Sequence, residues 1–365
     1  MAASGESLRT PEAFVGRLFE AGIGAFDLLS VYVGDRLGLY RTLREGGAST
    51  SGELASRAGI DERYAREWLE QQAATGILDV DDVSAPADRR RYALPDAHAE
   101  ALLDPESPYS IAPLGRAVVA CAKALPPLLD AFRTGGGVDW SAYGADMIES
   151  QGDFNRPWLV GSFGTEILPA IRPIHERLIA DPPARVADVA CGVGWAAIAI
   201  ARAYPQVTVD GFDLDASSID LARANAADAG VADRVTFAVR DASDPAAAGL
   251  YDLAVVIEAI HDLSRPVEVL AAIKQMLRPE GIALIAEEKT EDRFTAPASD
   301  VERFYYGFSV FTCLPAAMTE RPTAATGTVM RADRLRSYAT DAGFGGFERL
   351  DEPALDMLRF YRLTP

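Results

Sequence analysis

The 365-residue sequence predicts an α/β protein whose C-terminal half forms a doubly wound, mostly parallel sheet behind an α-rich front end. Three observations support this fold class. From residue 184 to residue 286, short apolar runs alternate with stretches of helical composition, which is typical of a parallel sheet covered by helices. The first of these units has a glycine-bearing turn between its strand and its helix. The front end instead shows helical spacing followed by two short strand-like runs.

Residues 1–105 are predicted to form a winged helix–turn–helix domain. Apolar side chains recur at helical spacing between Phe14 and Leu43, and Gly34 and Gly38 predict at least two helices in this stretch. Asp61 can cap the helix that follows it, because its side chain can accept hydrogen bonds from the first turn. The predicted elements are helices within 14–44, a helix capped at 49–51, a helix over 62–75, and strands at 76–78 and 92–94. Helix, turn, helix and two-stranded wing is the pattern of this domain type.

The remaining chain divides at residues 181–183, Asp-Pro-Pro, which mark a domain boundary. Before it, residues 106–183 are predicted to be a helical connector, broken by three glycines at 135–137. After it, residues 184–365 form the core domain. Its predicted strands are 185–190, 206–212, 235–240, 252–257 and 282–286. Its predicted helices are 195–203, 216–229, 266–277 and 334–342, and a closing hairpin pairs 347–350 with 357–362.

Composition narrows the classes of function. The formal net charge of −19 opposes attraction to nucleic-acid phosphates and to anionic membranes. No apolar run approaches the roughly 18 residues of a membrane span, and the first residues show no basic start followed by an apolar core. The three cysteines are scattered without a CxxC pair, which disfavours a disulfide framework and a thiolate zinc site. We therefore expect a cytoplasmic protein. Three scattered histidines do not support a metal requirement, and a site made of carboxylates alone stays open.

The central stretch is residues 184–215, a strand–loop–helix–strand unit. Gly192 and Gly194 permit backbone angles that a side chain would disfavour, and loop amides at a helix N-terminus can face a ligand. Asp213 ends the second strand, twenty-one residues beyond Gly192, where a carboxylate can accept hydrogen bonds from ribose hydroxyls. The unit predicts a nucleoside-binding crevice. Its loop also satisfies the G-x-G-x-x-A pattern of nicotinamide dinucleotide sites.

Two further carboxylates separate these interpretations. Asp188 lies on the first strand, before the turn, where it can help to hold an ammonium group but would lie poorly beside a pyrophosphate. Asp241 ends the third strand, where it can accept a hydrogen bond from an adenine amino group, with the Ala242 amide beside it. Both disfavour a dinucleotide oxidoreductase.

Four segments, DVACGVGW, GFDLD, RDAS and IEAIHDL, resemble the successive cofactor motifs of class I S-adenosylmethionine-dependent methyltransferases. With its front end, the chain is similar to actinobacterial methyltransferases that carry an N-terminal winged-helix domain. The resemblance implies a Rossmann-like seven-stranded sheet with an antiparallel last strand, and S-adenosylmethionine as the cofactor. The family commonly has glycine at position 190, so Ala190 predicts a slightly wider first turn.

The resemblance also assigns cofactor contacts. The methionine end of the cofactor would lie at Asp188 and the 190–194 loop, its ribose at Asp213, and its adenine near Leu214 and Asp241. The implied cofactor-binding residues are Asp188, Ala190, Cys191, Gly192, Gly194, Asp213, Leu214, Asp241, Ala242 and Glu258.

Methyl transfer from a sulfonium needs an acceptor held in line behind the methyl group, and a base where the acceptor carries a proton. His261 follows the fourth strand at the ligand-binding end of the sheet, with Glu258 before it. It is the candidate general base, and ordering of its loop without substrate contact is the alternative. Glu258 would contact the cofactor or the acceptor, or else stabilise the loop. His98 and His175 are predicted to be structural.

An aromatic-rich insertion follows the fifth strand and includes Tyr305, Tyr306 and Phe311. In this fold such an insertion commonly helps to line the acceptor pocket, which suggests an apolar or aromatic small molecule. The alternative is that these rings pack into the core.

The winged helix raises a rival function, that of a DNA-binding regulator with a cofactor-sensing domain. Residues 1–105 contain eleven arginines and no lysine against eighteen Asp plus Glu, a formal charge of −7. Such acidity opposes approach to phosphates, so we predict a homodimerisation role instead. An enzyme that binds the cofactor but catalyses a non-methylating reaction is the other alternative.

Overall fold

The computed structural model describes residues 10–244, 248–353 and 355–365. Within this part, the chain forms two compact units divided between Ala120 and Cys121. The segment predicted as a helical connector is shared between these units. None of the helices in the described ranges has both the length and the apolarity that a membrane crossing requires. The prediction that no secretory leader is present concerns residues that lie largely outside the described ones.

The N-terminal unit contains the predicted winged helix–turn–helix. Its elements are α1 Pro11–Arg36, α2 Leu39–Gly46, α3 Ser51–Ala58, α4 Glu62–Ala74, β1 Asp79–Val80, β2 Tyr92–Ala93 and α5 Asp96–Leu103, and α6 Ala112–Lys123 begins in it. Gly38 separates the first two helices in a left-handed conformation, φ +65°, whereas Gly34 stays within α1. The first wing strand was predicted at 76–78 but lies at 79–80, because residues 75–78 form the turn that ends α4.

Side-chain caps fix the helix starts in this unit. Thr50 and Glu53 form a reciprocal capping box at α3, and Asp61 accepts from the amides of Arg63 and Tyr64 at α4. Leu54, Leu69 and nine other buried side chains pack into one core.

The second unit begins with helices that precede the sheet. They are α7 Leu125–Thr134, a 3-10 turn Trp140–Tyr143, α8 Ala145–Trp158, a π-helical segment Leu159–Ile167, α9 Leu168–Ala170 and α10 Arg172–Leu178. The sheet strands are β3 Arg185–Val189, β4 Thr208–Asp213, β5 Val235–Val239, β6 Tyr251–Ile257, β7 Leu277–Glu288, β8 Gly346–Leu350 and β9 Leu358–Thr364. The other helical elements are α11 Trp195–Ala203, α12 Ala216–Asp228, a 3-10 turn Ile260–Asp262, α13 Pro266–Met276, α14 Asp300–Phe308, a π-helical turn Ser309–Cys313, α15 Leu314–Ala317 and α16 Ala332–Asp341.

The seven strands form one sheet in the order β5-β4-β3-β6-β7-β9-β8. Pairings among β3 to β7 are parallel, while β9 lies antiparallel to both β7 and β8. This confirms the predicted seven-stranded, doubly wound α/β sheet with an antiparallel last strand. Alternate residues of β6 enter opposite cores: Leu253 and Val255 pack with α11, whereas Ala254 and Val256 pack with α13 and α16. Burial on both faces explains why these strands are almost wholly apolar.

Candidate active site

The predicted cofactor residues gather at one edge of the sheet. Asp188 lies near the end of β3, Asp213 ends β4, Asp241 follows β5 and Glu258 follows β6. Because these strands run parallel, their carboxyl ends meet at a single edge, where doubly wound sheets bind ligands. The structure therefore brings together side chains that are up to 70 residues apart in the sequence.

The loop after β3 turns through three left-handed residues, Ala190 at φ +57°, Gly192 at +52° and Gly194 at +85°. A side chain at Gly194 would place its Cβ 2.5 Å from the Phe237 ring, so glycine is required there for space as well as for angle. Alanine in the left-handed region costs about 1–2 kcal/mol. Ala190 thus adopts a conformation that glycine would adopt at lower cost.

Asp213 ties this loop to the neighbouring strand. Its carboxylate accepts hydrogen bonds from the Gly192 amide and from the Asp215 amide, both at 2.9 Å. Burial raises the pKa of Asp213 although these amide bonds lower it. A carboxylate has about four acceptor positions, so acceptor capacity remains for ribose hydroxyls.

Asp188 lies beneath the loop and is almost fully buried, with 2% of its surface exposed. Its carboxylate accepts a hydrogen bond from the Ala197 amide in the first turn of α11, at 3.0 Å. Burial raises the pKa of Asp188 to about 7, and the nearby Asp213 contributes in the same direction. The group is therefore balanced between its neutral and charged forms near neutral pH.

After β5, Asp241 accepts from the amide and hydroxyl of Ser243, at 2.8 and 2.7 Å. These bonds, together with Arg265, hold the pKa of Asp241 below its usual value. Ala242 is half-buried beside it, and the Leu214 side chain is exposed. These residues occupy the positions assigned to adenine recognition.

Helix α8 contacts the glycine loop, which sequence reasoning did not predict. A Cβ at Gly152 would lie 2.3 Å from Val193 Cγ2, so the helix backbone approaches the loop closely. The Arg156 guanidinium stacks over the Trp195 ring, 4.4 Å from its centroid. The only sequence signal was a glycine within a helical stretch.

Asn155 of the same helix donates a hydrogen bond to Glu258 Oε2 at 2.7 Å. Glu258 itself has a left-handed backbone, φ +50°. Burial and the neighbouring Glu288 raise the pKa of Glu258 to about 7. Its carboxyl group thus lies at the junction of α8 and the end of β6.

His261 lies in the 3-10 turn after β6, 1% exposed, with carboxylates on both sides of its ring. Its Nδ1 is 2.5 Å from Glu287 Oε2 and 3.1 Å from Glu288 Oε2, and its Nε2 is 3.2 Å from Asp262 Oδ1. Burial alone would lower the pKa of His261, but the three carboxylates raise it well above 6.5.

Glu287 and Glu288 were not predicted as site residues, because the fifth strand was expected to end at Ala286. The strand instead continues through both glutamates. Glu287 also accepts from the Ile260 amide at 2.8 Å, which anchors the turn that carries His261.

The aromatic insertion has a mixed environment. Tyr305 is buried and its hydroxyl donates to the Met357 carbonyl oxygen. Tyr306 is half-buried and accepts from Arg331 at 3.3 Å, and Phe311 has 39% of its surface exposed. Cys313, which follows them, is buried close to His261 and Asp262.

The other two histidines have hydrogen-bonding partners of their own. His98 contacts the Ile77 carbonyl oxygen through Nδ1 at 2.8 Å, and His175 contacts the Tyr204 hydroxyl at 3.1 Å.

Comparisons with known proteins match both parts of the chain. Residues 186–281 match the family "Methyltransferase domain", and residues 25–103 match the "Rv2258c-like winged HTH domain". The chain is 27% identical over 110 residues to malonyl-[acyl-carrier protein] O-methyltransferase of Halalkalibacterium halodurans, covering 29% of this chain and 40% of that protein. It is 32% identical over 115 residues to methyltransferase GfsG of Streptomyces halstedii, covering 31% and 41% respectively. The matched segment thus spans about two-fifths of these relatives' length.

Solved structures resemble the chain over almost its full length. Human N-acetylserotonin methyltransferase in complex with SAM aligns with a TM-score of 0.70 at 16% identity, covering all of this chain and 99% of that one. PigF with SAH aligns at 0.69 and 19% identity, covering 98% and 100%. The mitomycin 7-O-methyltransferase MmcR aligns at 0.66 and 18% identity, covering 97% and 98%. At these identities the structures establish a shared fold.

Proposed function

We propose, from the premise that this chain is a class I S-adenosylmethionine-dependent methyltransferase with an N-terminal winged-helix domain, that it transfers a methyl group to a small-molecule acceptor. The observation that carries the proposal is the hydrogen bond of 2.9 Å between the Gly192 amide and Asp213, which joins the glycine loop to the ribose-binding carboxylate. Asp188, Asp213 and Asp241 then lie in the order that the methionine, ribose and adenine parts of S-adenosylmethionine require.

The methionine end would lie at Asp188 and the 190–194 loop, with α8 beside it. The buried carboxylates of Asp188 and Glu258 suit the two positive charges of the cofactor, its ammonium and its sulfonium. Leu214 would cover one face of the adenine, and Asp241 with the Ala242 amide would bind its edge. Each contact uses a group whose position is described above.

The acceptor would be activated at His261. Its Nδ1 faces Glu287, so a proton held there leaves the Nε2 lone pair for the acceptor's proton. S-adenosylmethionine would supply an activated methyl group, and His261 would orient the acceptor's hydroxyl and take its proton at Nε2. The carboxylates that raise the pKa of His261 also favour its protonated form, so the neutral imidazole that acts as the base would become more populated as the pH rises. Because the imidazole is buried, the acceptor reaches Nε2 only after neighbouring side chains move.

We place the acceptor pocket at the aromatic insertion. Phe311 is partly exposed and Tyr306 half-buried, so both can contact an apolar or aromatic molecule. Tyr305 would hold this part of the pocket in place through the hydrogen bond from its hydroxyl to the Met357 carbonyl oxygen.

We further propose a cytoplasmic homodimer assembled through the N-terminal domain. Helix α1 exposes a long series of large apolar side chains, which are costly to leave in water. They are Phe14, Val15, Leu18, Phe19, Ile23, Phe26, Leu29 and Val33. DNA binding is disfavoured, because two of the three consecutive arginines at 89–91, just before β2, form ion pairs: Arg90 with Glu70 and Arg91 with Glu53.

Calorimetric titration of the full chain with S-adenosylmethionine, S-adenosylhomocysteine and NAD tests the proposal. We expect micromolar binding of the first two and none of NAD. Asp213→Ala should lose that binding, whereas Asp220→Ala, an exposed carboxylate on α12, should keep it. Binding of NAD alone would overturn the proposal.

A further inference from the structure

Three side chains bring chemically different donor atoms close together, one of them at the end of the aromatic insertion. A ring nitrogen of His261, a carboxylate oxygen of Asp262 and Cys313 Sγ all lie within 4.8 Å of one another. Nitrogen, carboxylate oxygen and thiolate sulfur are the donor types that Zn²⁺ accepts in proteins. The sequence predicted no metal, because the histidines are scattered and no CxxC occurs. Cys313 is 51 residues beyond Asp262, so only the fold reveals this set.

The spacing suits a tetrahedral ion. Zinc lies about 2.0–2.2 Å from nitrogen and oxygen ligands and about 2.3 Å from sulfur, so tetrahedral ligand atoms are roughly 3.3–3.6 Å apart. His261 Nε2 and Asp262 Oδ1 are 3.2 Å apart. Asp262 Oδ1 is buried, and its contact with His261 Nε2 is an ion pair that does not reach hydrogen-bond geometry, so a cation can take the place of the imidazole proton between the two atoms.

The second ring nitrogen of His261 has the partner that metal-binding histidines usually have. Its Nδ1 lies 2.5 Å from Glu287 Oε2, and Glu287 is itself held by the Ile260 amide. A carboxylate at this position fixes the ring and directs the Nε2 lone pair toward the metal. Asp262 and Cys313 therefore lie next to a histidine ring whose orientation Glu287 already fixes.

Two further buried polar atoms lie near the set. Thr328, 2% exposed, directs Oγ1 to the Cys313 thiol, where a hydroxyl can donate to a metal-bound thiolate. Glu288, 8% exposed, holds Oε2 at 3.1 Å from His261 Nδ1. These atoms provide the outer hydrogen bonds and the negative charge that a divalent cation needs.

We propose that His261, Asp262 and Cys313 bind a divalent transition metal ion of the Zn²⁺ type, with a fourth position open, and that the ion inhibits methyl transfer by occupying His261 Nε2. On binding, the metal takes the Nε2 lone pair of His261 and the thiolate of Cys313, and the protons released from the imidazolium and from the thiol pass to solvent. The inhibitory effect rests on the proposed function, whereas metal binding does not.

Cobalt(II) provides a direct readout that needs no substrate. The chelator-treated full chain, titrated with Co²⁺, should bind one ion and show a thiolate-to-cobalt charge-transfer band together with tetrahedral d–d bands. Equimolar Zn²⁺ should remove both. Cys313→Ser should lose the charge-transfer band, while Cys121→Ser, which changes a half-buried cysteine outside the set, should keep it. Glu287→Gln should weaken Zn²⁺ binding about 10–100-fold.

The metal site and the proposed methyl transfer can fail separately, and different measurements reveal each failure. Absence of the charge-transfer band in the wild-type chain, or its persistence in Cys313→Ser, would overturn the metal site. If the chain binds S-adenosylmethionine but Zn²⁺ leaves acceptor methylation unchanged, the inhibitory role is wrong. If no methylation occurs at all, the proposed function fails while the cobalt spectra still decide the site. Asp262→Asn should lower affinity with the fold intact, which circular dichroism can verify.

Discussion

Replacing Asp188 by asparagine should change how stability depends on pH. Burial raises the pKa of Asp188 from 3.8 to about 7, so the folded chain keeps a proton that the unfolded chain releases. A carboxyl group with a raised folded pKa stabilises the fold fully below its unfolded pKa, and this contribution is lost as pH rises toward 7. One pKa unit corresponds to about 1.36 kcal/mol. The stabilisation lost between pH 5 and pH 7, about two units, is therefore roughly 2–3 kcal/mol.

Asparagine has nearly the same shape and can still accept from the Ala197 amide, but it cannot ionise. Its NH₂ group would be buried without a known partner, at a cost of about 1–3 kcal/mol. We therefore expect Asp188→Asn to be less stable than the wild type at pH 5. Between pH 5 and pH 8, the difference in unfolding free energy between the wild type and Asp188→Asn should shift by roughly 2–3 kcal/mol in favour of the variant. The deficit of the variant should therefore shrink or reverse.

Urea unfolding of the cofactor-free chain at pH 5, 6, 7 and 8 measures this difference. Tryptophan fluorescence is a suitable probe because Trp140, Trp158 and Trp195, three of the four tryptophans, lie in the same compact unit as Asp188. Asp220→Asn, on an exposed helix position, is the matched control and should follow the wild type at every pH. Parallel pH profiles for the wild type and Asp188→Asn would refute the assigned burial effect. The same substitution should weaken S-adenosylmethionine binding, since it removes a negative charge at the methionine end.

Three other variants test separate parts of the site. Asp213→Ala should weaken S-adenosylmethionine binding about 10–150-fold, as expected for lost hydrogen bonds to a charged group, and unchanged affinity in calorimetry would contradict the ribose assignment. Ala190→Gly should raise the free energy of unfolding by about 0.5–1 kcal/mol, because glycine takes φ +57° without steric cost; lower stability in urea would show that the alanine side chain packs favourably. His261→Ala should leave the cofactor dissociation constant unchanged and lower kcat roughly 10²–10⁴-fold, so a normal kcat would exclude it as the base. Glu287→Gln should also lower kcat, but by a smaller factor than His261→Ala does.

The positions of the glycine loop and of the carboxylates at one edge of the sheet could be predicted because their signals are local. Each carboxylate closely follows or ends a short apolar run, and parallel strands place such ends at one edge. The loop from Ala190 to Gly194 and the helix after it were located almost to the residue. Local periodicity was sufficient because these strands are buried on both faces.

The surroundings of Glu258 and His261 depend on contacts between distant segments, which no local pattern reports. Glu287 was missed because a charged pair following an apolar run resembles the end of a strand, whereas β7 continues through it. Asn155 lies on a helix predicted only as a connector, yet it bonds Glu258, 103 residues away. Cys313 had no predicted partner, and its position beside His261 depends on the π-helical turn that ends at it.

The alternation of left-handed residues at positions 190, 192 and 194 has a consequence for how this loop is recognised in other chains. A search that demands glycine at all three positions would pass over this sequence, although its backbone makes the same turn. The sign of φ at alternate positions describes the loop better than residue identity does, and only Gly194 among the three is also constrained by a neighbouring ring. Small non-glycine residues at the first position are therefore compatible with this loop conformation, and relatives that carry them belong in the same comparison.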